Sequence, residues 1–126
     1  MKLTFPYPPK ELLPNRKASW QQLMAVTGGT REDCYYHALE QKEHIKAQFP
    51  LKQVELEITW YPPDKRRIAD FDSIFRATKP ILDSLVDAKI IKDDSPKIIR
   101  GVKLSYGKVD KDNPRTEIDI VRRKER

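Results

Sequence analysis

The segment QVELEITWY, Gln53 to Tyr61, alternates without a break: Val54, Leu56, Ile58 and Trp60 on one side, Glu55, Glu57 and Thr59 on the other. Successive side chains of an extended chain point to opposite faces, so this stretch specifies a strand that is buried on one face and wet on the other. Such a strand needs neighbours to pair with and a layer to cover its apolar side. Two later stretches offer the neighbours. IIRGVKLSY sets Val102, Leu104 and Tyr106 on one face, and TEIDIVRR does the same with Thr116, Ile118 and Ile120. GKVDKDNPR between them has the composition of a polar hairpin loop. At the start, KLTFPY, Lys2 to Tyr7, reads as a short strand stopped by Pro8 and Pro9.

The covering layer has to come from the remaining periodic segments. WQQLMAVTGG predicts a short helix from Trp20, closed by Gly28 and Gly29 in the manner of a C-cap. Thr30 with Asp33 three residues on resembles a capping box, opening a long helix to about Gln48 whose Tyr35, Ala38, Leu39, Ile45 and Phe49 recur near helical spacing. Pro80 lacks an amide donor and is tolerated only in a first turn, so a further helix begins either near Thr78 or at Ser73 with a kink; a start near Thr78, carried to about Ala88, is the favoured expectation. Its Ile81, Leu82, Leu85, Val86 and Ala88 form a buried arc, while Lys79 and Asp83, four residues apart, share the polar face. The segment before it is expected to be an irregular turn. Strands with two longer helices give an α+β domain, a small mixed or mainly antiparallel sheet with helices on one face. A chain of 126 residues is one domain's worth, without repeats or low-complexity tracts.

Charge narrows the function. Lys and Arg total 25 against 19 Asp and Glu, a net charge of +6, which suits a polyanionic partner such as nucleic acid or an anionic membrane surface. No stretch approaches the roughly 20 apolar residues of a membrane span, and the proline-broken N-terminal stretch has no signal-peptide core, so a cytoplasmic protein is expected. Cys34, the single cysteine, fits a reducing compartment and reads as a small buried helix residue. His37 and His44 lack a third ligand and read as surface histidines rather than a zinc site.

Against this basic background, Ile68 to Pro96 gathers six aspartates. If Asp70 and Asp72 leave the Gln53–Tyr61 strand in an extended segment, their carboxylates face the same side and repel. A divalent ion relieves that repulsion, and hard oxygen ligands are what Mg²⁺ prefers. The bland alternative is helix-entry turn chemistry. Asp93 and Asp94 add a second acidic pair in a turn ahead of the next strand.

In order along the chain, PYPPK followed by Asn15, then YPPDKRRIADFD, then KPILDSLVDAKIIKDD resemble the RusA-type Holliday junction resolvases, small basic endonucleases, over most of the chain. The likeness lies in the strand-end prolines and basic run before Asp-x-Asp, and in a Lys-x-x-x-Asp helix followed by paired aspartates. It implies a RusA-like fold with Asp70, Asp72 and Asp94 as metal-binding catalytic carboxylates, Lys79 as the basic residue beside them, and Asp93 and Asp83 in support. It departs in three places: Ser73 stands where the family often has Asn, Ala69 where a basic residue is common, and Asp72 and Lys79 are further apart than in shorter members.

The resemblance implies Mg²⁺ as cofactor, with Mn²⁺ as a substitute, and a branched-DNA substrate, the four-way junction. It also implies a homodimer that supplies one site to each of two opposing strands, leaving 5′-phosphate and 3′-hydroxyl nicks. Asn15, Arg16, Lys17, Lys65, Arg66, Arg67 and Arg76 are the expected contacts to DNA phosphates, joined by the VRRKER tail. Trp20, Tyr61 and above all Phe71 are candidates for stacking on unpaired bases, against a plain core or rim role. The expected function is a metal-dependent, structure-selective DNA endonuclease. The alternatives are a noncatalytic branched-nucleic-acid-binding module and a less selective flap nuclease.

Overall fold

The computed structural model describes residues 1–13 and 19–123. Four strands, β1 (Lys2–Phe5), β2 (Val54–Tyr61), β3 (Ile99–Tyr106) and β4 (Arg115–Arg122), form one mixed sheet in the order β1-β4-β2-β3. β4 runs antiparallel to both β1 and β2, whereas β3 lies parallel to β2. A parallel neighbour requires a crossover. That crossover carries helices α2 (Phe71–Ala77) and α3 (Lys79–Asp87), while α1 (Trp20–Lys42) links β1 to β2. The α+β architecture with a mixed sheet is the expected one.

The alternation in β2 does what it specified. Val54, Leu56, Ile58 and Trp60 are buried, and in register beside them stand Ile118 and Ile120 of β4, with Leu3 and Phe5 of β1 beyond. Ile74, Ile81, Leu85, Ile90 and Ile91 close the core from the helical side. On the other face charges meet in pairs, exposed Lys2 with the largely buried Glu117 carboxylate at 3.6 Å and Arg123 with Glu55, both exposed, at 3.4 Å.

Four expectations change. The two helices expected on either side of Gly28 and Gly29 are one helix, α1, of 23 residues. Its N-terminus is fixed by a reciprocal capping box, in which Ser19 accepts from the Gln22 amide and the Gln22 side chain accepts from the Ser19 amide. Mid-helix glycines cost roughly 0.5–1 kcal/mol each, which this cap and the Arg31 contacts described below offset. Second, α1 ends at Lys42 rather than near Gln48. The chain leaves the helix to bring Leu51 between Ile90 and Lys92, where its amide donates to the Ile90 carbonyl and its carbonyl accepts from the Lys92 amide.

Third, the segment before Thr78 is helical, so α2 and α3 abut at Thr78. Pro80 stands in the first turn of α3, where its missing amide costs nothing. Fourth, residues 107–114 do not form a hairpin, because β3 and β4 lie on opposite sides of β2. The loop crosses the end of β2, with the Gly107 amide on the Trp60 carbonyl at 2.8 Å and the Asp110 amide on the Pro62 carbonyl at 2.8 Å. Gly107 is required there: a Cβ would come within 2.3 Å of the Tyr61 ring.

The local reading of Cys34 holds. Cys34 is buried on α1, and burial, with Asp33 adding to it, pushes its thiol up to about 12, leaving an inert packed residue. Among the described residues no helix is long and apolar enough to cross a membrane.

Candidate functional site

The acidic segment is built around two abutting helices. Asp70 is the N-cap of α2, and its Oδ1 accepts from the Ser73 amide at 2.9 Å. That bond holds the carboxyl below its usual range, since it favours the charged form. Asp72 follows in the first turn and pairs with Arg76 at 3.2 Å, both side chains being almost fully exposed. The two aspartates therefore do not share a side, as an extended segment would require. A helix begins between them, each carboxylate has a different partner, and the turn-chemistry reading describes Asp70.

Lys79 opens α3 and stands at the centre of the charged group. Its ammonium pairs with Asp83 at 3.2 Å, the expected pair one helical turn apart, and makes a short contact with Asp94 from the loop that leads into β3. The Lys79 contact, first through hydrogen bonding and then through charge, holds Asp94 below the normal carboxylate range, and Asp94 in turn raises Lys79. At neutral pH both are ionised. Asp93 turns the other way and accepts from the Ser95 amide at 2.8 Å, shaping the turn that presents Asp94.

Asp83 also lies 3.9 Å from Arg31, whose guanidinium makes a two-pronged contact with Asp87 at 2.7 and 2.8 Å. This clasp joins α1 to α3 beside a cavity of about 440 Å³ lined by Gly28, Arg31, Glu32, Tyr35 and Asp87. The cavity is distinct from the Lys79–Asp94 group. Its guanidinium is already spent on a carboxylate, as the raised Arg31 and lowered Asp87 values reflect.

The structure thus joins Lys79, Asp83 and Asp94, and leaves Asp70 and Asp72 on separate partners. As donors, the exposed carboxylates suit Mg²⁺: they are hard oxygens, and Asp70 and Asp72 each commit one oxygen to the contacts above. In arrangement, no group of three or more His, Cys, Asp or Glu side chains among the described residues is gathered to hold a metal ion.

Of the expected DNA contacts, Lys65 and Arg66 are exposed on a single 3-10 turn capped by Asp64, and Arg67 is half-buried there. Arg76 is exposed and shares its charge with Asp72. Asn15, Arg16 and Lys17 lie outside the described residues, as does the end of the basic tail beyond Arg123. Phe71 is 49% exposed, its ring 5.7 Å from that of Tyr106. Tyr61 instead lies under the Arg115 guanidinium at 3.9 Å, and Trp20 is exposed on α1.

What the motifs did not reveal is how this segment is fastened. The Tyr106 hydroxyl accepts from the Ala69 amide at 3.1 Å and donates to the Ala69 carbonyl at 2.8 Å. The Tyr7 hydroxyl donates to the Arg67 carbonyl, and burial, reinforced by the neighbouring Tyr106, raises its phenol so that it stays a donor. The buried Trp60 indole donates to the Thr78 hydroxyl at 3.0 Å, which donates in turn to the Ile74 carbonyl at 2.7 Å. The available signal was chemical: a Tyr or Trp at a core-facing strand position has a polar tip that needs a partner. No protein-family model matches the chain, and no curated protein matches it.

Proposed function

We propose that the chain is a Mg²⁺-dependent, structure-selective DNA endonuclease that resolves four-way junctions by paired symmetric nicks, acting as a homodimer. The observation that carries this reading is the contact of Lys79 with Asp94, fifteen residues apart in sequence and joined at the exposed N-terminal turn of α3. The pair sets a cation and a carboxylate of the matched motif at one exposed place, where a phosphate and a metal could reach both, and as an exposed pair it adds only about 0–1 kcal/mol to stability. The ordered motif resemblance and the net charge of +6 support it further.

In this reading Asp70, Asp72 and Asp94 would hold the metal, which supplies an activated water and a counter-charge for the leaving oxygen. Lys79 binds the scissile phosphate as a compact cation with three donors. Asp94 keeps that ammonium oriented and charged until the phosphate arrives, and Asp83, one helical turn on, holds it from the other side. Exposed Lys65, Arg66 and Arg76 neutralise flanking phosphates, making affinity strongly salt-dependent.

A second reading, a noncatalytic module that binds branched DNA, draws support from the dispersal of Asp70 and Asp72 onto Ser73 and Arg76. One experiment separates them. Purified protein is incubated with a labelled four-way junction or a matched linear duplex, in Mg²⁺ or EDTA, alongside Asp72→Asn. Symmetric, metal-dependent nicks in the junction that vanish in the variant are expected. Tight junction binding with no cleavage in Mg²⁺ or Mn²⁺ would establish the binding module instead, and equal cutting of flaps and junctions would remove the junction selectivity.

A further inference from the structure

Asp70 and Lys79 are nine residues apart, and the residue before each is bonded to one of a pair of aromatic side chains. Trp60 and Tyr106 are register partners near the C-terminal ends of the parallel strands β2 and β3. Neighbouring strands lie about 4.8 Å apart, so the two side chains rise from the sheet as a unit, with ring centroids 5.6 Å apart. Tyr106 grips both backbone groups of Ala69, and Trp60 holds the hydroxyl of Thr78. Helix α2 is therefore pinned at both ends to a single rung of the sheet.

We infer that Tyr106 and Trp60 are positioning residues, fixing Asp70 and Lys79 relative to each other through Ala69 and Thr78. The inference rests on the endonuclease reading for its effect on cleavage, while the clamp is a property of the fold alone. Three observations favour positioning over packing. The Tyr106 hydroxyl makes two bonds to one residue's backbone, which ring packing does not require. Ala69 precedes the N-cap of α2, so its amide has no place in the helical ladder and finds its acceptor in Tyr106. Thr78 is at once the C-cap of α2 and the N-cap of α3, so its fixation sets the angle at which Lys79 leaves. Misplacing a reacting group by about 1 Å can cost on the order of a hundredfold in rate, and a loosened clamp acts by that route.

The test is Tyr106→Phe, which deletes the hydroxyl and keeps the ring against Trp60 and Phe71. Four quantities are compared with wild type: amide hydrogen exchange at Ala69 and Ser73 by NMR, affinity for Mn²⁺ alone, junction affinity in EDTA, and single-turnover cleavage at saturating Mg²⁺. The expected result is exchange at Ala69 faster by about tenfold or more, weaker Mn²⁺ binding, unchanged junction affinity, and cleavage slower by about tenfold. Identical Ala69 exchange and identical cleavage in the variant would overturn the inference. So would a uniform loss in every readout with a matching fall in Tm, which is the mark of a packing role. If the wild type cuts no branched DNA, the endonuclease reading falls, and Ala69 exchange with Mn²⁺ affinity still decides the clamp. Should the variant fail to fold, the wild-type Ala69 amide decides: slow exchange supports the clamp, and exchange at the rate of an exposed loop refutes it.

Discussion

The two edges of the sheet are finished in different ways. At the β1 edge the Gln41 side chain of α1 bonds to both backbone groups of Thr4, accepting from its amide at 2.7 Å and donating to its carbonyl at 2.8 Å. That edge is thereby plugged against further pairing. The β3 edge has no strand beyond it among the described residues, and its helix-side residue Val102 is 42% exposed, while its register partner Leu56 is 1% exposed. The helical layer covers β1, β4 and β2 and thins out over β3. The candidate catalytic residues lie at the border of the thinly covered half: Asp70 held through Tyr106 of β3, Asp94 in the loop entering β3, and Lys79 anchored through buried Trp60 of the adjoining β2. One half of the molecule is spent on stability, and the other holds polar groups where a large ligand can reach them.

Mutations in the covered half should therefore be read in stability, and mutations in the open half in function. The largest stability effect is expected in the covered half, where Ile118→Ala should lower unfolding free energy by about 2–5 kcal/mol in urea denaturation, against no more than about 0.5 kcal/mol for Val102→Thr on the open strand. Equal losses at the two positions would erase the distinction. Next in size, Gln41→Ala should cost about 1–2 kcal/mol by removing the plug, and should promote self-association visible in light scattering.

Smaller still is the Arg31–Asp87 clasp, exposed enough that Asp87→Asn should cost under about 1 kcal/mol. Its pH dependence has a definite sign. Asp87 is depressed in the folded state, so the clasp stabilises above the unfolded carboxylate value of about 3.9, and that contribution is lost as pH falls through the folded value below it. The Tm difference between wild type and Asp87→Asn should be constant at neutral pH and close in strong acid. A gap that widened on acidification would contradict this assignment.

The legible parts of the fold were those in which one pattern dominates. Strict alternation marked β2, apolar residues set on one face marked β3 and β4, and Pro80 with Lys79 and Asp83 marked the start and polar face of α3. The errors arose where a local signal met a stronger distant one. Gly28 and Gly29 look like a stop, yet both have φ on the ordinary side, and the Ser19 capping box carries the helix through them. The polar run 107–114 looks like a hairpin, but pairing order is decided by which strands share β2, which no short segment encodes. Helix-entry turn chemistry was the bland alternative for Asp70 and is what its capping bond to Ser73 shows, while the favoured irregular turn before Thr78 hid the extent of the helix that Asp70 starts. The anchors Tyr7, Trp60 and Tyr106 reach partners 18 to 60 residues away, and sequence spacing carries no trace of them.

On the proposed endonuclease reading, the Lys79–Asp94 pair takes part in chemistry, while the Arg31–Asp87 pair holds α1 to α3. The most direct measurement is Mg²⁺-dependent cleavage of a four-way junction by Asp94→Asn and Asp87→Asn, with the Tm of each recorded. Asp94→Asn is expected to lose at least about a hundredfold in rate with a Tm near wild type, and Asp87→Asn to cut at the wild-type rate with a slightly lowered Tm. Wild-type cleavage by Asp94→Asn, or equal loss in both variants, would contradict this division of roles.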